Sequence, residues 1–295
     1  MLMLREQDCP HVIGLHDFFF AISEDASHTV FVLEAFPCTL RALAMQRTHV
    51  VSRLRQARVA GRQIAAALSH VHSMHILHRD VKSDNVLCRL SSNCAADFER
   101  PACVLSDFGA STTFSEPAPD AAPRSSMCFA LHVRPPELLF GSSQYLIAPD
   151  IWAAACTIAE VLLGGASLFA PSDDEDTGGE QLDSPERQLH ALFENLGTPS
   201  WDDIIAMNPQ LNADHDRARA WMQAPPRPPT RGWRERLLSD LLRDEPTGRT
   251  AVEGPEAAEL SYGAASLLAA IFQWSPAARP TAQAMLSDFR FLCDE

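Results

Sequence analysis

The residue pattern predicts an α+β chain, rich in strand at its start and mainly helical after it. Two observations carry this. Apolar segments of extended character come first, at residues 12–15, 18–22 and 29–36, and helical periodicity takes over from Leu40 onward. Residues 29–36 read T-V-F-V-L-E-A-F, rich in β-branched and aromatic side chains and closed by Pro37, which predicts a strand. Residues 23–27, S-E-D-A-S, predict the turn before it. Residues 59–72 place Ile64, Leu68 and Val71 on one face, as an amphipathic helix requires. Further helices are predicted over 149–163, 187–196, 233–242, 264–274 and 281–289, with Thr281 as the N-cap of the last. Residues 115–126, 171–185, 224–229 and 244–259 carry the Pro, Ser, Gly or acidic content of loops, and the acidic run at 173–176 reads as a solvated face.

The 295 residues suit two domains or one two-lobed unit. Lys and Arg number 24 against 38 Asp and Glu, a net charge of −14, which disfavours a nucleic-acid partner. The longest apolar stretch, 151–163, contains Glu160 and is too short to span a membrane, so no membrane partner is expected. The first residues turn polar at Arg5 and do not form a signal peptide. Cys9, Cys38, Cys88, Cys94, Cys103, Cys128, Cys156 and Cys293 show no C-x-x-C spacing and read as small buried hydrophobes in a reducing compartment, cytoplasmic or nuclear. His70, His72 and His75 lack a Cys or carboxylate placed to complete a metal site, and the five Trp read as packing residues.

The informative segment is His78-Arg79-Asp80-Val81-Lys82-Ser83-Asp84-Asn85, with Asp107-Phe108-Gly109 following 27 residues after Asp80. Phosphoryl transfer needs an aligned hydroxyl and cations that neutralise phosphate oxygens. An Asp, a Lys and an Asn presented by one loop can converge on a phosphate. A second Asp from elsewhere would complete an oxygen cage for magnesium, and Gly109 would give the turn freedom to aim it.

This order of motifs resembles the eukaryotic protein kinase family. The resemblance implies that Asp80 orients the acceptor hydroxyl as base, Lys82 contacts the transferred phosphate, and Asn85 and Asp107 hold Mg2+, with ATP as phosphate donor. Residues 29–40 resemble the hinge strand. Leu33 takes the gatekeeper place, the backbone of Glu34, Ala35 and Phe36 meets adenine, and Leu87 lies under the ring. Arg134-Pro135-Pro136-Glu137 sits where the family has R-A-P-E. Asp150-Ile151-Trp152 is similar to the opening of its large buried helix, and Arg279 to the arginine that pairs with Glu137. Arg134, with Leu196-Gly197-Thr198-Pro199-Ser200, is similar to the cyclin-dependent and mitogen-activated kinase branch, which often selects Pro after the acceptor. The implied organisation is a partial small lobe and hinge at 1–38 and a mainly helical large lobe at 39–295, with an insert around 171–262. The implied function is a serine/threonine kinase acting on protein substrates, with a cyclin-like or scaffold partner.

The Gly-rich loop, strand lysine and helix glutamate of that family have no counterpart in the sequence. Asp8-Cys9-Pro10-His11-Val12 resembles the turn after the glutamate-bearing helix, with Met1-Leu2-Met3-Leu4 as its last turn, so the chain is expected to be N-terminally truncated against the family, and Glu6 is no substitute. Leu4 and Leu15 fall where the family stacks a column with His78 and Phe108, or are plain core. Ala130 replaces a Thr, His132 and Val133 replace Trp-Tyr, and Ala155 replaces a Gly. Ser125 and Ser126, beside Arg124, are candidate phosphorylation sites. A second reading follows: a catalytically impaired, pseudokinase-like interaction protein binding partners through 187–201 and the acidic insert. For the isolated chain the expectation is weak magnesium–ATP binding and phosphotransfer near background.

Overall fold

The computed structural model describes residues 9, 11–22, 27–46, 48–90, 98–114, 124–125, 127–171, 184–208, 227–230, 232–242 and 255–293. The expectations placed on residues 1–8, 23–26, Cys94, Ser126, the acidic run 173–176, Trp221 and most of the loop stretches lie outside these residues. Extended structure leads and helices follow, as the sequence predicts.

Strands β1 (Leu15–Ile22) and β2 (Ser27–Leu33) form an antiparallel ribbon with Phe18 opposite Phe31. β2 stops at Leu33 rather than running on to residue 36, and Glu34, Ala35 and Phe36 are instead engaged by one arginine described below. Short strand β3 (Cys38–Thr39) leads into helix α1 (Leu40–Ala44), whose N-cap Thr39 accepts from the Ala42 N–H.

Helix α2 (Val50–Ser73) begins well before residue 59. Val50, Leu54 and Ala57 extend the stripe of Ile64, Leu68 and Val71 one further pair of turns, with arginines between them, and all six are buried. Strand β4 (Ile76–Leu77) follows. Then come β5 (Val86–Arg89) and β6 (Ala102–Leu105), which with β3 make an antiparallel sheet in the order β3-β5-β6, while β7 (Thr112–Thr113) pairs with β4. Residues 11–13 dock on β6: Ile13 N–H donates to Leu105 O and Leu105 N–H to His11 O, each at 2.9 Å.

After the short helix α3 (Pro136–Leu139), helix α4 (Ala148–Leu162) runs through the centre, buried on every side from Pro149 to its end. A helix apolar all round must be covered all round. α2 crosses it at Gly61, where a Cβ would meet Ile158 Cδ1 at 3.0 Å and Leu292 Cδ2 at 3.1 Å. Trp152 of α4 stacks on Phe169 and meets the edge of Phe272 at 5.0 Å, so it is core as expected. The remaining described helices are α5 (Pro185–Leu196), α6 (Trp201–Met207), α7 (Trp233–Leu242), α8 (Pro255–Ile271) and α9 (Ala282–Asp288). α8 starts at Pro255, a favoured first position, rather than at 264. Thr281 caps α9, accepting from the Ala284 N–H at 3.1 Å.

The Glu137–Arg279 pair is as the sequence proposes. Two bonds of 2.7 Å join the guanidinium to the carboxylate, both side chains are at most 2% exposed, and the guanidinium lies 4.8 Å over Trp152. Arg279→Leu alone strands the carboxylate and should cost about 3–5 kcal/mol in urea denaturation, whereas pairing it with Glu137→Met should recover most of that loss.

Candidate active site

The segment from His78 to Asn85 is held from below. The Asp150 carboxylate, 1% exposed on the first turn of α4, accepts the N–H of His78 at 2.9 Å, the N–H of Arg79 at 2.8 Å, and the ring of His72 at 3.0 Å. Burial alone would push this carboxyl up. The His72 bond, the two imidazoles and the Arg79 N–H outweigh burial and hold it below 3.8. Arg79 takes a left-handed φ of 68°, a strained conformation that the Asp150 bonds make tolerable.

His78 is fully buried. Its Nε2 pairs with Ser106 O at 2.9 Å, its Nδ1 accepts the Asp80 N–H, and its ring meets Phe108 at 4.7 Å. These partners fix the neutral tautomer with the proton on Nε2. Leu15 is buried, and the His78 and Phe108 rings meet each other directly; Leu4 lies outside the described residues.

Above this support Asp80, Lys82 and Asn85 come together. Lys82 Nζ donates to both Asp80 oxygens at 3.0 and 2.8 Å, and Asn85 Nδ2 to Asp80 Oδ2 at 2.7 Å and to Asp80 O at 2.8 Å. Asp107 is exposed and, among the described residues, makes no hydrogen bond to that triad. Its backbone is tied to the triad through Ser106, whose N–H and hydroxyl both donate to Asn85 O at 2.8 Å. The turn freedom assigned to Gly109 is taken instead by Asp107 itself, at φ 59°. What Gly109 supplies is room: a Cβ there would stand 3.1 Å from Asp107 Oδ1.

The residues read as a hinge from the sequence lie at the other end of β5. Arg89 donates to Ala35 O at 2.9 Å, pairs with Glu34 at 2.9 Å, and places its guanidinium 4.6 Å over the Phe36 ring. Leu33 ends β2, and Leu87 sits mid-strand between Thr39 and Val104. Leu87 is partly buried, while its neighbours Val86 and Cys88 face the core. Arg89 was not singled out in the sequence, since nothing in a four-residue strand marks its last residue as a clamp. Ser83 and Arg41 were missed too: both bond the buried Glu160 of α4, at 2.8 and 2.6 Å, anchoring the loop a second time.

Magnesium favours hard oxygen ligands. Asn85 donates through Nδ2, which leaves Oδ1 to accept, and the Asp107 carboxylate makes one bond, from the Gly109 N–H. The donor set fits the ion.

The match to known proteins follows the same lines. The family model for the protein kinase domain covers residues 1–290. The protein kinase gsk31 of Schizosaccharomyces pombe is 31% identical over 213 residues, 70% of this chain and 49% of that protein. The probable serine/threonine-protein kinase glkA of Dictyostelium discoideum is 30% identical over 200 residues, 68% of this chain and 36% of that protein. The chain thus spans half or less of these relatives. Among solved structures, a chain of the yeast RNA polymerase II CTD kinase CTDK-1 complex superposes with a TM-score of 0.67 at 19% identity, covering 100% of this chain and 79% of that one, a likeness of fold. The chain belongs to the protein kinase family.

Burial lowers the His78 pKa below 6.5, against the opposing pull of Asp150. The unfolded chain therefore takes up the proton first as pH drops. The stability His78 contributes is complete above 6.5 and is lost as the pH falls through the folded value. Asp150, depressed below 3.8, adds a further loss in stronger acid. The urea midpoint should fall on acidification from neutral pH, and the His78 ring should titrate below 6.5 by NMR; a midpoint that rises instead would contradict the assignment.

Proposed function

We propose that this chain carries the phosphotransfer centre of an ATP-dependent protein serine/threonine kinase, with Mg2+ held by Asn85 and Asp107. The convergence of Lys82 and Asn85 on the Asp80 carboxylate carries this reading, because a loop built for packing alone has no need to gather three polar side chains at a half-open surface. Bound between Asn85 and Asp107, magnesium would neutralise phosphate oxygens. Asp80 would accept the hydrogen bond of the acceptor hydroxyl, and Lys82 would turn its ammonium from Asp80 to the transferring phosphate. Leu87 and the backbone of Glu34, Ala35 and Phe36 would bind adenine, with Leu33 beside it and Arg89 holding the hinge to β5.

A preference for Pro after the acceptor is part of the proposal. Arg134, whose guanidinium donates twice to Phe129 O at 3.1 and 2.7 Å, supports it by fixing the backbone of the segment before the Pro-Pro-Glu motif. So is a cyclin-like or scaffold partner; the exposed Phe19, Phe20, Ile22 and Phe31 of the β1–β2 ribbon support a protein contact there.

Radiolabelled ATP, magnesium and a peptide library with Ser or Thr fixed as acceptor test the reading. Incorporation by the isolated chain should be low and should fall to the enzyme-free blank in Asp80→Asn and in Asp107→Asn, and Ser-Pro peptides should outpace Ser-Ala ones. Gly109→Ala should weaken magnesium-dependent nucleotide binding while leaving the fold intact. Incorporation equal in the native chain and both Asp variants would overturn the proposal.

A further inference from the structure

Cys38, Cys88 and Cys103 are widely spaced in sequence, yet the β3-β5-β6 sheet sets them in one row. Cys38 is the register partner of Cys88, and Cys88 of Cys103. Residues directly opposite across strands share a face, so the three thiols stand side by side on the side away from Leu87. Cys88 Sγ lies 3.3 Å from Cys103 Sγ, and Cys38 Sγ reaches Cys88 O at 3.5 Å. Cys88 and Cys103 are buried, whereas Cys38, on the edge strand of the sheet, is partly exposed.

The ladder geometry suits a crosslink. Ser106 N–H donates to Asn85 O, which makes that pair hydrogen-bonded. The alternation of an antiparallel ladder then makes Cys88–Cys103 a non-hydrogen-bonded pair, and the Cys103 N–H accordingly donates to Gln63 Oε1. Such pairs bring Cα atoms to about 4.5 Å, inside the range that a disulfide spans.

We propose that this row is a thiol modification site, in which a hydroperoxide oxidises Cys38 and exchange along the row leaves a Cys88–Cys103 disulfide. The Cys38 thiolate attacks the hydroperoxide; the O–O bond breaks, the alcohol leaves, and Cys38 becomes a sulfenic acid. Cys88 attacks the Cys38 sulfur, the S–O bond breaks, and hydroxide leaves as water with the proton that Cys88 gave up. Cys103 then attacks Cys88 from the side opposite Cys38; that S–S bond breaks, and Cys38 departs and recovers the proton from Cys103. Two thiols and one hydroperoxide give one disulfide, one alcohol and one water, with both electrons drawn from Cys88 and Cys103. The strand order places Cys88 between Cys103 and Cys38, the order of attacking, central and leaving sulfurs that the exchange needs.

Burial and the neighbouring Cys88 hold the Cys38 thiol above 9.0, and the contact with Cys103, together with burial, pushes Cys88 up as well. Few thiolates exist at neutral pH, so the row is quiet toward weak oxidants and quickens in alkali. The crosslink would join the strand that begins after Asn85 to the strand that ends just before Ser106 and Asp107. It therefore fastens together the supports of both proposed metal ligands, though the chemistry itself does not rest on the kinase reading.

The full chain, treated with tert-butyl hydroperoxide at mildly alkaline pH, unfolded, alkylated and digested without reductant, tests this by mass spectrometry. The peptides carrying Cys88 and Cys103 should appear joined and two hydrogens lighter, with Cys38 alkylated. Cys38→Ser should slow the joining by about tenfold or more, and Cys103→Ser should trap a Cys38–Cys88 disulfide; circular dichroism checks that each variant is folded, with Cys38→Ala as the alternative. Cys88 and Cys103 both alkylated after Cys38 has been oxidised would overturn the proposal. Joining at an unchanged rate without the Cys38 thiol would do the same.

Discussion

One buried carboxylate organises the functional half of this molecule. Asp150 opens a helix that is itself fully enclosed, and its two oxygens collect two consecutive backbone N–H groups from the loop above and the His72 imidazole from the last turn of α2. A carboxylate stripped of water is tolerable only when such partners replace the lost hydration. The dependence is mutual: the loop needs the acceptor to hold Arg79 at positive φ, and the acceptor needs the loop to be satisfied. Glu160, ten residues further along the same helix, repeats the device with Ser83 and Arg41, so the loop is bolted to one rigid rod at two places.

Strand β5 then acts as a ruler between two chemistries. Asn85 precedes it, Leu87 stands at its middle and Arg89 ends it. A strand advances about 3.3 Å per residue with alternating faces, so a run this short fixes the distance between the Asp80–Lys82–Asn85 triad and the Glu34–Phe36 segment with little freedom. Arg89 takes hold of the chain where β2 ends at Leu33. Its guanidinium takes the Glu34 carboxylate, the Ala35 carbonyl and the Phe36 ring at once, so a single side chain holds the three residues that follow β2.

How much of this was legible in the sequence depended on whether the signal was local. The triad of Asp80, Lys82 and Asn85 spans six residues, so one loop accounts for it, and motif spacing was enough. The Glu137–Arg279 pair joins residues 142 positions apart, and only resemblance to a known family could have matched them. The early start of α2 was readable and missed, because the arginines between Val50, Leu54 and Ala57 masked an unbroken apolar stripe. The short strands β3, β4, β5 and β7 carry too few residues to show a period. The cap of α6 was present in the letters: Ser200 and Asp203 form reciprocal bonds, but with Asp in place of the usual longer side chain. The Cys row was illegible in principle, since alignment across strands depends on register, which no spacing of Cys38, Cys88 and Cys103 along the chain encodes.

Burial is graded across the site, and the grading has a physical reason. Asp150, Glu137 and Glu160 are 1–2% exposed, whereas the Lys82 and Asp80 side chains are 23% and 14% exposed and Asp107 is open to solvent. Groups that must not move are the ones withdrawn from water, because there each lost bond leaves a polar atom unpaired and the penalty enforces a single geometry. Groups that must exchange partners need the opposite. In the proposed transfer Lys82 exchanges Asp80 for a phosphate, and a pair sealed in a low dielectric would oppose that, because separation would strand two charges. An ion pair that water still reaches costs less to open than a sealed one, since water can replace the lost partner. The same sequence of layers, from fully satisfied carboxylates on a buried helix to loosely held charges at the surface, is what lets one loop be rigid in its backbone and labile in its side chains.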